Sequence, residues 1–441
     1  MPASIADSAM FRGLFGDDQL AALFTDSAEV RAMLLVEGEL AAAQGALGII
    51  PPEAAEFIAR SAREVQIDPA GLAAETAVNG VPVPALINAF RKAMQAPEYA
   101  QYLHWGTTSQ DIVDTALALR LRRVLGVLDT RLGALVESLG AMAGAHADLP
   151  LAARTYGQFA TPTSFGAVVA QWGRPLQRHR ARVQQAGGDV ACVSLGGAAG
   201  TLSALEGQGP AVRATLAERL RLRDPGHSWH PERDSLAALM AAMAALTASL
   251  GKMAEDVMLM VQSGIGEVRL AGAGGSSTMP QKQNPVGPSV IVALSHQVTA
   301  LNAAFQGAAV HRQQRDGAAW FTEWLTLPQI VLCTGRALTL ARDVVAGLTP
   351  DQAAMARNMD AGGGLIHAEA YSFALARHMP RPAAQARVKD LCAEAMARGQ
   401  SLGALVAAAF PELALGDVEH AGLGEAPAEA RAFAAAVAAG A

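Results

Sequence analysis

Between residues 108 and 150 the apolar positions fall in a regular order. Leu121, Leu125, Leu128, Leu132, Leu135 and Leu139 are separated by alternating steps of four and three, and Met142 and His146 continue the series. Such a 3.5-residue period keeps one seam of a helix facing a partner over many turns. Thr108 and Ser109 are helix-starting residues, and Asp148-Leu149-Pro150 is a stop. The pattern therefore predicts a helix of about 38 residues, roughly 55 Å long at the usual rise. A second long helical pattern fills about 232–262 and a third about 288–345. The first hundred residues carry shorter amphipathic patterns broken by Pro51, Pro52, Pro82 and Pro84. After the LTPD turn at 348–351 come shorter helices, a glycine cluster at 362–364 and an alanine-rich tail. The expected architecture is all-α, with an N-terminal helical domain over 1–108, a central bundle over 109–350 and a C-terminal helical domain over 351–441. The chain holds no repeat of solenoid length, no GxGxxG and no P-loop.

Composition sharpens this reading. Hydrophobic residues make up 51% of the chain, but only 5% are aromatic and 17% charged. Helices packed closely on small side chains fit those figures, and a β-rich fold does not. So few charges leave little polar surface for a lone bundle, which predicts helical faces buried between copies of the chain, hence a homo-oligomer. With a net charge of −6, a pI near 5.9 and no basic run, nucleic acid is not an expected partner. Cys192, Cys333 and Cys392 are odd in number and lack CxxC spacing, which points to a reducing compartment and to neither a disulfide framework nor zinc. The most apolar window, 235–251, is shorter than the roughly 20 residues of a spanning helix. Lys252, Glu255 and Asp256 follow it, so a buried bundle helix is expected rather than a membrane span. The N-terminal residues lack a charged stretch followed by an apolar one, so no signal peptide is expected and the cytoplasm is the expected location.

Three polar clusters interrupt the helical background: HWGTTSQD at 104–111, RTYGQFATPTSFG at 154–166 and GSSTMPQKQNP at 275–285. Each is rich in small hydroxyl and amide groups beside a helical pattern. Hydroxyls, amides and helix N-terminal N–H groups suit carboxylates, because they donate hydrogen bonds without crowding the ligand. Taken singly, each cluster has a plainer explanation. Thr108, Ser109 and Thr163 are ordinary capping residues, a glycine-serine stretch is commonly a linker, and His104 and His146 fit packed, satisfied histidines. GHSWH at 226–230 places two histidines three apart, but the sequence offers no third metal ligand.

Together, in this order and at these separations, the clusters resemble the fumarase/aspartase superfamily, also known as the class II fumarase or argininosuccinate lyase family. Its GSSxMPxKxNP pattern is matched by Gly275, Ser276, Ser277, Met279, Pro280, Lys282, Asn284 and Pro285. The resemblance implies three helical domains and a homotetramer whose long helices form a twenty-helix core, with active sites shared between subunits. It also implies chemistry beside a substrate carboxylate. Moving a proton at the α carbon creates a dianionic aci-carboxylate that needs nearby positive charge. On this resemblance Ser276 transfers the proton, Lys282 holds the dianion, and Asn284, Thr108, Ser109, Gln110, Thr155 and Gln158 grip carboxylates. The loop's glycines let it close over substrate. No metal and no cofactor are required.

Two departures narrow the reading. Tyr156 stands where most lyases of the superfamily carry a histidine, and SQD replaces the commoner SND or SSD. Reactions that need that histidine, as in fumarase and adenylosuccinate lyase, are disfavoured. The run AAWFTEWLTLP within 311–330 resembles the branch of the superfamily that lactonises carboxylated muconates. In that reaction the leaving group of the reverse direction is an internal carboxylate, a weak base, so no strong acid need protonate it. The substrate would be a trianion, for which Arg315, and secondarily Arg154, is the expected additional cation, with His146 a further candidate in proton transfer. Trp320 and Trp324 are expected to pack rather than to bind. An adenylosuccinate-lyase-like enzyme and a catalytically silent structural relative are the alternatives.

Overall fold

The computed structural model describes residues 8–272, 274–275, 278–279, 282–413, 415, 418 and 422–440. It is an all-α protein with three small two-stranded sheets among the described residues. The chain divides into two compact units. One comprises Met1–Arg131, His179–Ala248 and Ala293–Leu338, the other Leu132–Arg178, Ser249–Val292 and Thr339–Ala441.

In the first unit, the helix Asp26–Ala46 starts where the Thr25 hydroxyl accepts from the Ala28 N–H at 3.2 Å. It packs against Pro52–Glu64, and the two approach closely because of glycine. A β-carbon at Gly45 would lie 2.3 Å from that of Ala55. The core of this unit gathers Met33, Leu34, Leu40, Ile58, Leu86 and Phe90 with Ile112, Val113 and Ala116.

The long helix predicted from the leucine seam spans Ser109–Ala145, 37 residues. Leu121, Leu128, Leu132, Leu135 and Leu139 are all buried. Half-buried Leu125 fits against Gly187 of the Phe165–Val190 helix, where a β-carbon would lie 2.6 Å from its methyl. The second long pattern is Asp234–Met260. By length and composition this helix could cross a membrane. Its Met240, Met243, Leu246, Leu250, Met253 and Val257 are instead completely buried in the protein, as expected of a bundle helix.

The third pattern, read as one stretch, is two helices, Val286–Ala308 and Gly317–Gly347. The break has a local cause. Gln313 adopts a left-handed backbone, φ +57°, which no helix continues through. The Asp316 carboxylate then accepts from the N–H groups of Ala318 and Ala319, capping the second helix.

In the second unit, β1 (Pro150–Thr155) and β2 (Gln158–Ser164) form a hairpin. β3 (Val268–Leu270) pairs with β6 (Leu348–Pro350), and β4 (Gly274–Gly275) with β5 (Gln283–Asn284). Towards the C-terminus, Tyr371, Leu375, Val388, Leu391, Leu402 and Val406 make a small core of their own.

Candidate active site

The predicted site residues divide between the two units. Thr108, Ser109, Gln110 and Arg315 fall in the first; His146, Thr155, Gln158, Lys282 and Asn284 fall in the second. Ser276 lies outside the described residues.

In the first unit a tight turn delivers the chain to the start of the Ser109–Ala145 helix. His104 is left-handed, φ +63°, and its ring meets Glu37 at 2.6 Å. Burial disfavours the charged imidazole, but the charge and hydrogen bond of Glu37, with Asp111 adding to them, more than reverse this and raise the His104 pKa. Thr108 and Ser109 sit half-buried at the helix N-terminus, where unpaired N–H groups favour an anion. Beneath them Asp111 is buried. It accepts from the N–H groups of Thr108, Gly196 and Gly197 at 3.0, 2.7 and 3.0 Å, and its Oδ1 lies 2.7 Å from His230 Nε2. One carboxylate thus clamps the helix start to the glycine-rich segment around residue 197.

Gln110 points into the protein and is completely buried. Its Nε2 donates to Asp114 and to the His230 carbonyl, both at 3.1 Å, and its Oε1 accepts from Arg315 Nε at 2.9 Å. Arg315 itself is exposed. Behind Gln110, Arg233 forms paired hydrogen bonds with Asp114 (2.7 and 3.2 Å) and with Glu323 (2.8 and 2.6 Å), and stands 4.9 Å from the Trp229 ring centre. Burial lowers the proton affinity of Arg233, but the two carboxylates outweigh it and leave the guanidinium more firmly protonated than in water. Trp320 is buried in the hydrophobic core and packs on Trp324 with ring centres 4.8 Å apart.

In the second unit, Thr155 and Gln158 close the β1–β2 hairpin as its last pair. The turn between them is Tyr156-Gly157, both left-handed at φ +53° and +74°. That is the backbone of a two-residue turn whose twist matches the strands. Thr155, Gln158 and Tyr156 are exposed on its tip. One pair below the tip, opposite Phe159, Arg154 is engaged with Glu267 at 2.9 and 2.7 Å, and Glu267 also accepts from Asn358 at 2.9 Å. Arg154 is therefore neutralised by a fully buried carboxylate. His146 follows the long helix, its ring 5.6 Å from that of Phe165, and burial lowers its pKa. The signature loop is held at its base by β4 and β5, with Gly274 opposite Asn284 and Gly275 opposite Gln283. Lys282 is exposed, with its N–H on the Met279 carbonyl, and Asn284 is half-buried.

Sequence reading passed over Asp111, Asp114, Arg233 and Glu323, and considered His230 only as a metal ligand. His227 and His230 turn to different partners, Glu232 and Asp111. The missed signal was isolated charges within otherwise apolar helical stretches: Asp114 and Glu323 both fall at positions that the helices bury.

Known proteins share this fold and much of this sequence. The family described as Lyase matches residues 15–300. A 3-carboxy-cis,cis-muconate cycloisomerase of Pseudomonas putida is 36% identical over 90% of this chain and 95% of its own. Trans-aconitate decarboxylase 1 of Mycosarcoma maydis is 35% identical over 90% of this chain and 81% of its own. The crystal structure of the 3-carboxy-cis,cis-muconate lactonizing enzyme of Pseudomonas putida superposes with a TM-score of 0.92 at 33% identity, covering 98% of this chain and 99% of that one. The helical architecture is thus a known scaffold, and the chain belongs to the lyase family of the fumarase/aspartase type.

Proposed function

We propose that this protein is a 3-carboxy-cis,cis-muconate cycloisomerase, forming 4-carboxymuconolactone in the breakdown of protocatechuate. One carboxylate of the substrate adds across the conjugated diene, so a C–O bond forms as the double bond is lost. The carbon α to another carboxylate then takes a proton, and the product is an isomer of the substrate. Between the two events the second carboxylate carries an aci-carboxylate dianion, whose stabilisation sets the barrier.

The residues divide this work. Lys282 meets the dianion and Ser276 handles the proton, with His146 as a further candidate for proton transfer. Thr108, Ser109, Thr155, Gln158 and Asn284 hold carboxylates, with Gln110 beside them, and Arg315 supplies the second cation that a trianion requires. In this scheme positive charge comes from the protein, so no metal or cofactor is needed.

The observation that carries the reading is the Tyr156-Gly157 turn. The position of the superfamily's acid histidine is occupied by an exposed tyrosine in a left-handed turn. That loss is compatible with expulsion and addition of an internal carboxylate, which needs no strong acid. The sequence relationship to the Pseudomonas putida enzyme supports the same choice.

Thr155, Gln158 and Lys282 are exposed in the single chain, whereas an aci-carboxylate needs a site closed to water. The homotetramer, with each active site completed by neighbouring copies, supplies that closure. In this arrangement residues 1–108, 109–350 and 351–441 act as three helical domains, the middle one contributing the shared core. A small polycarboxylate is the substrate, and the cytoplasm is the location that the free cysteines favour. Replacing Lys282 by Met tests the assignment. Turnover of 3-carboxy-cis,cis-muconate should fall by about 10²–10³-fold, the scale seen when an oxyanion partner is removed; near wild-type turnover would reject it.

A further inference from the structure

We infer that Gln110 is a positioning residue: its carboxamide holds Arg315 by the Nε edge and keeps the end of the guanidinium open for a substrate carboxylate. The inference rests on the proposed reading of a tricarboxylate substrate.

Burial is the first argument. The Gln110 side chain is inaccessible, so it cannot present its amide to a ligand arriving from solvent. Its orientation is the second. Both Nε2 hydrogens are engaged, one by Asp114 Oδ2 and one by the His230 carbonyl. Turning the amide over would press Oε1 against those two acceptors, so Oε1 is fixed towards Arg315. That sense is enforced from behind, because Asp114 is held by Arg233, and Arg233 by Glu323.

Charge is the third argument, and the two candidate arginines make the comparison. Arg154 binds a buried carboxylate directly and is neutralised. Arg315 meets a neutral amide instead, although Asp114 lies only one hydrogen bond further in. Against the single charge of Arg233, Asp114 and Glu323 leave one negative charge in surplus behind Gln110. The amide separates Arg315 from that surplus, and so Arg315 keeps its charge for an incoming anion. Its Nε is occupied, and among the described residues its Nη2 makes only a long 3.4 Å contact with the Ala198 carbonyl. The terminal nitrogens remain in the geometry that grips a carboxylate with two hydrogen bonds.

The test measures tricarballylate (propane-1,2,3-tricarboxylate) binding by calorimetry, which does not depend on turnover. Arg315→Ala should weaken binding roughly tenfold or more, the scale of a charge-assisted contact. Gln110→Met should weaken it by a similar factor in the otherwise wild-type protein and have no further effect in the Arg315→Ala background. An equal loss in both backgrounds would mean that Gln110 acts independently of Arg315, and no loss in either would mean that it positions nothing; each overturns the inference. Arg315→Lys, an exposed change, covers the case in which Gln110→Met does not fold. Lysine lacks the Nε edge, so its affinity should match Arg315→Ala; retained affinity would show that charge alone suffices and overturn the inference. Failure of the wild-type protein to bind tricarballylate would overturn it as well. If coupling is seen but 3-carboxy-cis,cis-muconate is not converted, the positioning role stands and the assigned reaction fails.

Discussion

Arg233→Met is the sharpest probe of the buried network beneath the site. Arg233 is completely buried and makes four hydrogen bonds, at 2.6–3.2 Å, to Asp114 and Glu323. Methionine fills a similar volume but leaves both carboxylates buried without their cation. Asp114 would keep the Gln110 amide, whereas Glu323 would keep, among the described residues, only His311, whose ring nitrogen is 3.6 Å away. Removing one partner of a buried ion pair costs about 3–5 kcal/mol. We take that range for the network, since one carboxylate retains a donor. At roughly 2 °C per kcal/mol for a cooperative unit of this size, Tm should fall by about 6–10 °C. The assay is calorimetry at equal protomer concentration, because association alters apparent stability. The variant Arg233→Met/Asp114→Asn/Glu323→Gln should recover at least half of the loss, since it removes the unpaired charges along with the cation. A fall under about 2 °C for the single change, roughly 1 kcal/mol, or no recovery in the triple variant, would refute the reasoning.

Three further outcomes follow from the structure. His104 has a raised pKa in the folded protein, so its pairing with Glu37 contributes stability fully below the unfolded value near 6.5, and that contribution disappears as pH climbs through the raised folded value. Tm profiles between pH 6 and 9 should therefore lose this decline in Glu37→Gln, and an unchanged profile would count against the pairing. Gly166→Ala puts a β-carbon 2.4 Å from the Ala143 carbonyl and 2.8 Å from Ala147 backbone, which cannot rotate away. It should destabilise by about 3 kcal/mol in thermal unfolding, at the upper end for overpacking. Tyr156→Asn should stabilise the hairpin by about 0.5 kcal/mol, because asparagine tolerates the left-handed turn better than tyrosine, while Tyr156→His should bring no gain in turnover with 3-carboxy-cis,cis-muconate.

Much of the bundle could be read from periodicity. The leucine seam marked a helix whose observed length differs by one residue from the expected value, because a 3.5-residue repeat, a capping start and a proline stop all agreed. Periodicity failed at 309–316. Its alanine and glutamine residues are compatible with a helix, and the break depends on a left-handed Gln313 and the cap from Asp316, neither of which leaves a periodic trace. The β1–β2 hairpin was also missed, since Tyr-Gly is a weaker turn signal than Asn-Gly and its strands carry little alternation. For the candidate site, motif matching nominated Thr108, Ser109, Lys282 and Asn284 but could not tell which way each side chain faces. Gln110 and Arg154 needed coordinates, because the partners that fix them, His230 and Arg315 for the first and Glu267 for the second, come from distant parts of the chain. The polar network around Arg233 joins helices more than a hundred residues apart, and no local pattern announces such pairing.

The central claim is the identity of the reaction, and it can be tested with purified protein and three substrates. 3-Carboxy-cis,cis-muconate, trans-aconitate and adenylosuccinate are supplied separately, with ultraviolet absorbance and the products followed in each. We expect loss of the diene absorbance with the first alone, and formation of 4-carboxymuconolactone without release of carbon dioxide. Carbon dioxide released from trans-aconitate, fumarate from adenylosuccinate, or no change with any of the three would contradict the account.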